Sequence, residues 1–376
     1  APSDVEQLRA LPYLDYSEEK ADPAKLGVTF LDRNRSFPGY NLYTSTSGAE
    51  LALIDPVGQP IHSWTIPAGQ VWNRAELLPN GDLLVIGGPQ PARPQAKGRY
   101  LLRLSWRGKL LWQVDLASHH DIERLPDGRI FAFTTEHRLR PKIDPEIPTT
   151  DNPIAVFSAE GEKLEQVSLY DLVRAGPARL DLRTVRPKRS HGKRRTIDLL
   201  HANNMDWVES SRSAEEHPLY RPGNVLLTLR HQDTLAAIHW PSREVVWSWG
   251  RGEISGPHHG QVLDNGNVLL FDNGLAHKRS RVIELDPTTE EIVWSYQPPP
   301  DEPFFTRSGG ACQRLANGNT LITDTNRGRA FEVTPEGDLA WEFFTPHIGP
   351  RGGRGVIIRM HRYSVEYVRA IRSRHR

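Results

Sequence analysis

Two histidine doublets, His119-His120 and His258-His259, each stand just ahead of an apolar run that a Gly turn interrupts. In "SHHDIERLPDGRIFAF" and "GPHHGQVLDNGNVLLFDNG" one histidine lies five residues before the leucine that opens the turn, His120 before Leu125 and His258 before Leu263. His201 in "LLHANNMDWVES" heads a weaker copy of the phrase, and "LLTLRHQDTLAAI" adds Arg230 and His231. A neutral imidazole near pH 7 is a nucleophile, a proton carrier or a metal ligand. Three imidazoles with an open position would suit a metal. A guanidinium among them argues against a bound cation and offers a planar fork of donors to an oxyanion instead. His120, His201, His258 and Arg230 are therefore the candidate catalytic set, with no metal assigned. Asn73, His119, Asn204 and His259 are the candidate substrate contacts.

The elements that must position these residues are read from a repeat. One phrase type is apolar, turn, apolar: "AELLPNGDLLVIG" (75–87), "IERLPDGRIFAF" (122–133), "QVLDNGNVLLFD" (261–272) and "QRLANGNTLITD" (313–324). The other type ends in an aromatic in most copies, as in "YLLRLSWRGKLLWQV" (100–114), "LAAIHWPSREVVWSW" (235–249) and "RVIELDPTTEEIVWSY" (281–296). Each phrase has the strand length, β-branched content and Asn-Gly or Asp-Gly turn of a β-hairpin. One of each makes a four-stranded sheet of about 40 residues, the blade of a β-propeller. Six copies of the second type predict an all-β, six-bladed propeller, with five blades as the alternative. The partner of the first copy (50–64) is to come from "GVIIRMHRY" (355–363) or from "GVTFLD" (27–32) with "YNLYTS" (40–45). The expected organisation is an N-terminal, partly helical extension over 1–26, a propeller over 27–363 and a tail over 364–376. A basic insertion interrupts the propeller at 170–199, reading as a solvated loop or as a rim that attracts anions. In this frame His120, His201 and His258 open the innermost strands of three consecutive blades, at positions where others carry Asn73 or Gly310. Arg230 and His231 sit on the second strand of the His201 blade. His119 and His259 alternate to the other strand face, His62, His239 and His277 are surface residues, and Trp64, Trp112, Trp247, Trp294 and Trp341 anchor the blades.

Composition narrows the function classes. Lys and Arg number 47 against 46 Asp and Glu, so no global charge points to nucleic acid or an anionic membrane. Cys312 is the one cysteine, which rules out an intramolecular disulfide. No apolar run reaches the roughly 20 residues of a spanning helix. The first residue is Ala rather than Met, from which a removed leader or anchor is expected. GxSxG, HExxH, P-loop and CxxC motifs are absent.

The order "HANNMDW", "LRHQD", "HHGQVLDNGNVLLFDNG" resembles the bacterial arylsulfate sulfotransferase family. "SGGACQRLANGNTLI" and the terminal "MHRY" are similar to its shorter members, and the resemblance spans roughly residues 40–363. It implies a six-bladed propeller that moves a sulfuryl group from an aryl sulfate ester to a phenol by ping-pong chemistry. The implied carrier is a sulfo-histidine at His258. His201 and His120 would contact the sulfuryl group or the phenolic oxygen, and Arg230 would hold the sulfuryl oxygens. It also implies a periplasmic or membrane-anchored setting, small-molecule aryl sulfates and phenols as partners, no cofactor, and neither nucleic acid nor a nucleotide sulfate donor. A metal-dependent hydrolase and a non-catalytic binding scaffold are the alternatives.

Overall fold

The structure, a computed structural model, describes residues 4–10, 14–90, 97–189, 195–302 and 304–376. The chain forms two compact units, Ala1–Pro12 with Ser118–Gln297, and Tyr13–Ala117 with Pro298–Arg376. Each contains three antiparallel sheets of blade type, with strands hydrogen-bonded mainly in chain order. The fold is all-β and of the propeller class.

The first unit carries the sheets that begin at Ser118–Arg124, Ala202–Trp207 and His258–Val262. Their second strands, Ile130–Thr134, Asn224–Leu229 and Val268–Asp272, are buried at every position. Outermost strands such as Glu291–Tyr296 are largely exposed. This gradient explains why continuous apolar runs and weaker, charged strands alternate along the chain. The hairpin turn repeats in atomic detail. Leu125 N–H donates to Arg129 O at 2.8 Å and Leu263 N–H to Asn267 O at 2.8 Å. Gly128 (φ 91°) and Gly266 (φ 87°) supply the left-handed corner that a side chain would strain. One core joins Phe131, Phe133 and Val156 to Met205, Leu227 and Leu229 of the next sheet. A second joins Leu226, Leu235 and Trp247 to Leu270 and Ile283. Each such fully buried side chain contributes roughly 1.5–3 kcal/mol.

The insertion is irregular over most of 173–187, but its end joins a four-stranded sheet with strands that precede it in the chain. Glu136–Arg140, Asp144–Asp151, Arg195–Asp198 and Lys188–Arg189 form four strands, with Thr149 opposite Ile197 and Thr150 opposite Asp198 in parallel register. Prolines and charges over 136–151 hide these strands from pattern reading. Lys193 and Arg194 of the basic run lie outside the described residues.

In the second unit Ile357–Ser364 pairs with Gly39–Ser45, so the sheet ending at Pro60–Thr65 is built from both ends of the chain. Gly27–Leu31 adds instead as a fifth strand beside Leu339–Phe344. The expected tail is the helix Val365–Arg374, started by Ser364 and buried through Val368 and Ile371. Trp64, Trp247 and Trp341 are core anchors as expected, whereas Trp112 and Trp294 on outer strands are only half-buried. His277 is exposed, but His239 is buried and bonded to Ser242, and His62 stacks on Trp106 at 3.7 Å. Among the described residues no helix is long and apolar enough to cross a membrane.

Candidate active site

Irregular pairing at the start of each first-unit sheet sets the geometry of the histidines. Between Ser118 and Ile122 four residue steps stand opposite two on the partner strand. Between His258 and Gln261 three stand opposite two. Such bulges re-aim side chains and break strict alternation. His120 (φ 57°), His201 (φ 49°) and His259 (φ 45°) occupy the left-handed region there, while His119 and His258 do not. The first bulge is one residue longer than the second, so His120 matches His259 in conformation although its spacing to the turn matches His258. These bulges interrupt the regular pairing on which the expected alternation of His119 and His259 rested.

The rings form one row. His119 and His120 centroids are 4.7 Å apart, His120 and His201 5.0 Å, and His201 and His231 4.6 Å. His258 joins the cluster through electrostatic coupling to Arg230, His201 and His120. Arg230 and His231 lie in the turn just beyond Asn224–Leu229 rather than on the strand. That turn is anchored by Arg230 N–H to His201 O at 3.2 Å and His231 N–H to Leu200 O at 3.0 Å.

Hydrogen bonds define the tautomers. His258 Nδ1 faces two oxygens, Asn273 Oδ1 at 2.6 Å and Gly256 O at 3.2 Å. It must therefore carry the proton, which leaves the lone pair on Nε2. His201 Nδ1 donates to Asp198 Oδ2 at 2.5 Å, with the same consequence. His231 Nδ1 donates to the Asp198 carbonyl at 2.5 Å, and its Nε2 accepts from Arg230 Nη1 at 3.0 Å. Burial pushes His120, His201, His231 and His258 below the usual imidazole range; Asp198 works against this at His201, His231 and His120, while Arg230 adds to it at His201, His231 and His258. All four are neutral near pH 7. Burial works against ionisation of Asp198, but His201, Lys188 and His231 outweigh it and hold the carboxyl well below its usual value.

Asp198, His201 and His231 offer atoms close enough together to suggest a metal site. Asp198 Oδ1 has no hydrogen-bond partner among the described residues and His201 Nε2 keeps its lone pair, but the other ligand atoms are already committed. Asp198 Oδ2 accepts from both His201 and Lys188 Nζ, the latter at 2.8 Å, and His231 stands between Asp198 O and Arg230. A cation there would displace a lysine and face an arginine, so the set fits a proton-handling network rather than a metal.

The other candidate contacts are placed differently. His119 is buried, stacked on Phe133, with Nε2 held by Asn152 Nδ2 at 3.1 Å and near Thr134 O at 3.2 Å. Asn204 is bound into the scaffold, donating to Asp121 Oδ2 at 2.6 Å and accepting from Thr228 at 3.5 Å. Its neighbour Asn203 donates to Pro257 O at 2.9 Å, and its buried Oδ1 has no hydrogen-bond partner among the described residues. His259 is partly exposed beside His258. Asn73 belongs to the second unit, where Arg99 Nη2 donates to its Oδ1 at 3.0 Å. The clustered site is built from the first unit alone.

Sequence reasoning missed Asp198, Lys188 and Asn273. Asp198 was detectable as an acid three residues before His201, and Asn273 as part of the "FDNG" phrase. Lys188 carried no signal beyond the basic run.

No curated protein matches the sequence. Among solved structures, a protein of unknown function from Bacteroides caccae matches with 16% identity and TM-score 0.53, over 86% of this chain and 98% of that one. A streptogramin B lyase matches with 12% identity and TM-score 0.46, over 93% and 97%. The β-propeller domain of Cps50 (Swd1) from Myceliophteria thermophila matches with 13% identity and TM-score 0.46, over 88% and 98%. At such identities likeness bears on fold alone. The arylsulfotransferase (ASST) family model matches residues 97–345, a span that contains both histidine doublets, His201 and Arg230. With about two thirds of its length matched, the chain belongs to the arylsulfotransferase family.

Proposed function

We propose that the protein transfers a sulfuryl group from an aryl sulfate to a phenol through His258. The observation that carries this is the pair of neutral imidazoles, His258 and His201, whose lone pairs are both assigned to Nε2 beside a buried guanidinium. His258 Nε2 attacks sulfur, the sulfur–aryl oxygen bond breaks, and a phenolate departs with the bonding electrons. The result is an N-sulfo imidazolium that Nδ1 keeps bonded to Asn273 and Gly256. An acceptor phenol then gives its proton to His201 Nε2, and its oxygen takes the sulfuryl group, releasing neutral His258. Asp198 supports the transient His201 cation, which then releases the proton to solvent, where the phenolate freed in the first half-reaction is protonated in turn. Arg230, steadied by His231, neutralises the sulfuryl oxygens. His120, with its ring beside His201, contacts the phenolic oxygen. Sulfuryl transfer resembles phosphoryl transfer in needing placement and cationic donors more than covalent machinery. The transfer uses no cofactor and no nucleotide sulfate donor, and its setting is periplasmic or membrane-anchored.

The test is incubation with 4-nitrophenyl sulfate, with and without phenol, followed by intact mass. One added sulfuryl mass on the wild type, absent from His258→Ala and discharged by phenol, is the expected result. Discharge by water at the same rate would make the enzyme a hydrolase. No added mass, together with metal bound by the histidines, would reverse the reading.

A further inference from the structure

The insertion and the Lys142–Ile143 turn line a concavity in the first unit, with a volume of about 630 Å³. That lies within the roughly 300–1,000 Å³ range of small-molecule sites. Its walls have a consistent chemistry. Ile143, Leu180 and Leu182 pack on the buried core, and Leu199 is itself part of that core, which gives the groove an apolar floor. Lys142, Arg174, Arg179 and Arg183 stand around it, with Asp181 as the single acid among the lining residues.

The cations differ in how they are held. Arg174 Nη1 donates to Tyr170 Oη at 2.5 Å, and its guanidinium lies 5.0 Å from the ring centre. Arg183 is held by Asp233 at 2.9 Å and by the Gln232 carbonyl at 2.7 Å. Lys142 and Arg179 are exposed, and their head groups have no hydrogen bond or ion pair among the described residues. Two cations are thus fixed and two are available at the mouth of a half-apolar groove. The wall is pinned along its length: Leu180 N–H donates to Val173 O at 2.7 Å and Arg183 N–H to Gln232 Oε1 at 2.9 Å. The groove is therefore formed before any ligand arrives, which lowers the entropy lost on binding.

We propose that this groove is a separate binding site for a small organic monoanion, an oxyanion on an apolar body, with Lys142 and Arg179 taking the charge. The apolar floor selects against inorganic anions, and the cationic mouth selects against neutral aromatics. The site stands whatever reaction the histidines perform.

The probe is 2-naphthalenesulfonate, which has no sulfate ester to transfer, titrated calorimetrically into the wild type and His258→Ala. Lys142→Glu with Arg179→Glu should remove one bound equivalent, or weaken it at least tenfold, in both backgrounds. Both substitutions are at exposed positions, and an unchanged melting temperature confirms folding. Inorganic sulfate and 2-naphthol should each bind at least tenfold more weakly than the sulfonate. Unchanged sulfonate binding after charge reversal, equal binding of inorganic sulfate or naphthol, or no binding to the wild type would each overturn the proposal. None of these bears on sulfo-enzyme formation, so the groove and the transfer reaction fail separately.

Discussion

His119 and His258 each open a doublet in the same kind of phrase, yet the fold holds them by opposite ring nitrogens. His119 is gripped at Nε2 by Asn152 and lies against Phe133, inside the scaffold. His258 is gripped at Nδ1 by Asn273 and Gly256 O, so its other nitrogen carries the lone pair. The partners explain the difference. Asn152 also accepts from Ala202 N–H at 3.1 Å, tying the first sheet to the second, and His119 becomes part of that tie. Asn273 sits just beyond the His258 sheet's own second strand, and its Oδ1 accepts from the imidazole. A repeated motif can therefore divide its work, with one copy bracing the sheets and the other leaving a ring nitrogen open, as the proposed nucleophile requires.

The largest expected effect tests this division directly. His258→Ala should lower transfer from 4-nitrophenyl sulfate by about 10⁴-fold or more, as loss of a nucleophile does. His119→Ala should keep the sulfo-enzyme mass and instead lower stability by about 1–3 kcal/mol in urea, because Asn152 is left unpaired in the interior. A dead His119→Ala with native stability would invert the comparison. Next, Arg230→Lys should cost about 10²–10³ in single-turnover sulfation, since a lysine cannot both hold His231 and present a fork to the sulfuryl group. Asp198→Asn should slow discharge to phenol by roughly 10–10², with less effect on loading, because it disturbs the proton carrier rather than the nucleophile. A uniform loss in both half-reactions would place Asp198 with the nucleophile instead.

The smallest effect is on acid stability. Four site imidazoles have their pKa lowered by burial. Below about pH 6.5 the unfolded chain takes up protons that the folded site refuses. Stability is then present above that pH and declines as pH falls toward the folded pKa values, by at most about 1.4 kcal/mol per pH unit for each histidine. Urea midpoints at pH 7.5 and 5.5 should show a smaller decline in His258→Ala than in the wild type. An equal decline would remove His258 from the set that resists protonation.

Much of the scaffold was legible because hairpin turns and continuous apolar strands obey local rules. The turn at Leu125–Arg129 and its copy at Leu263–Asn267 could be placed from Asp-Gly and Asn-Gly alone. The C-terminal strand that joins Gly39–Ser45 was one of two options, and only pairing decides between them. Within the site, His120, His201 and Arg230 could be found from type and spacing, but the roles of the two doublets could not. Those roles depend on bulges one residue different in length, which spacing does not report. Asp198 and Lys188 were hidden for another reason. They arrive on a mixed sheet whose strands are short, charged and rich in proline, and whose parallel pairing with 149–150 is non-local.

The left-handed backbone at His120, His201 and His259 has a consequence for how this protein can evolve. Glycine adopts that conformation without the Cβ conflict, which costs other residues about 1–2 kcal/mol. Selection for thermal endurance alone should therefore drift toward glycine at these positions, first where activity is not demanded. A variant library ranked by melting temperature would enrich His259→Gly, where the ring is partly exposed. At His201 the same change would strip the buried Asp198 carboxylate of its Nδ1–H donor, so there the bend is kept at the cost of backbone ease.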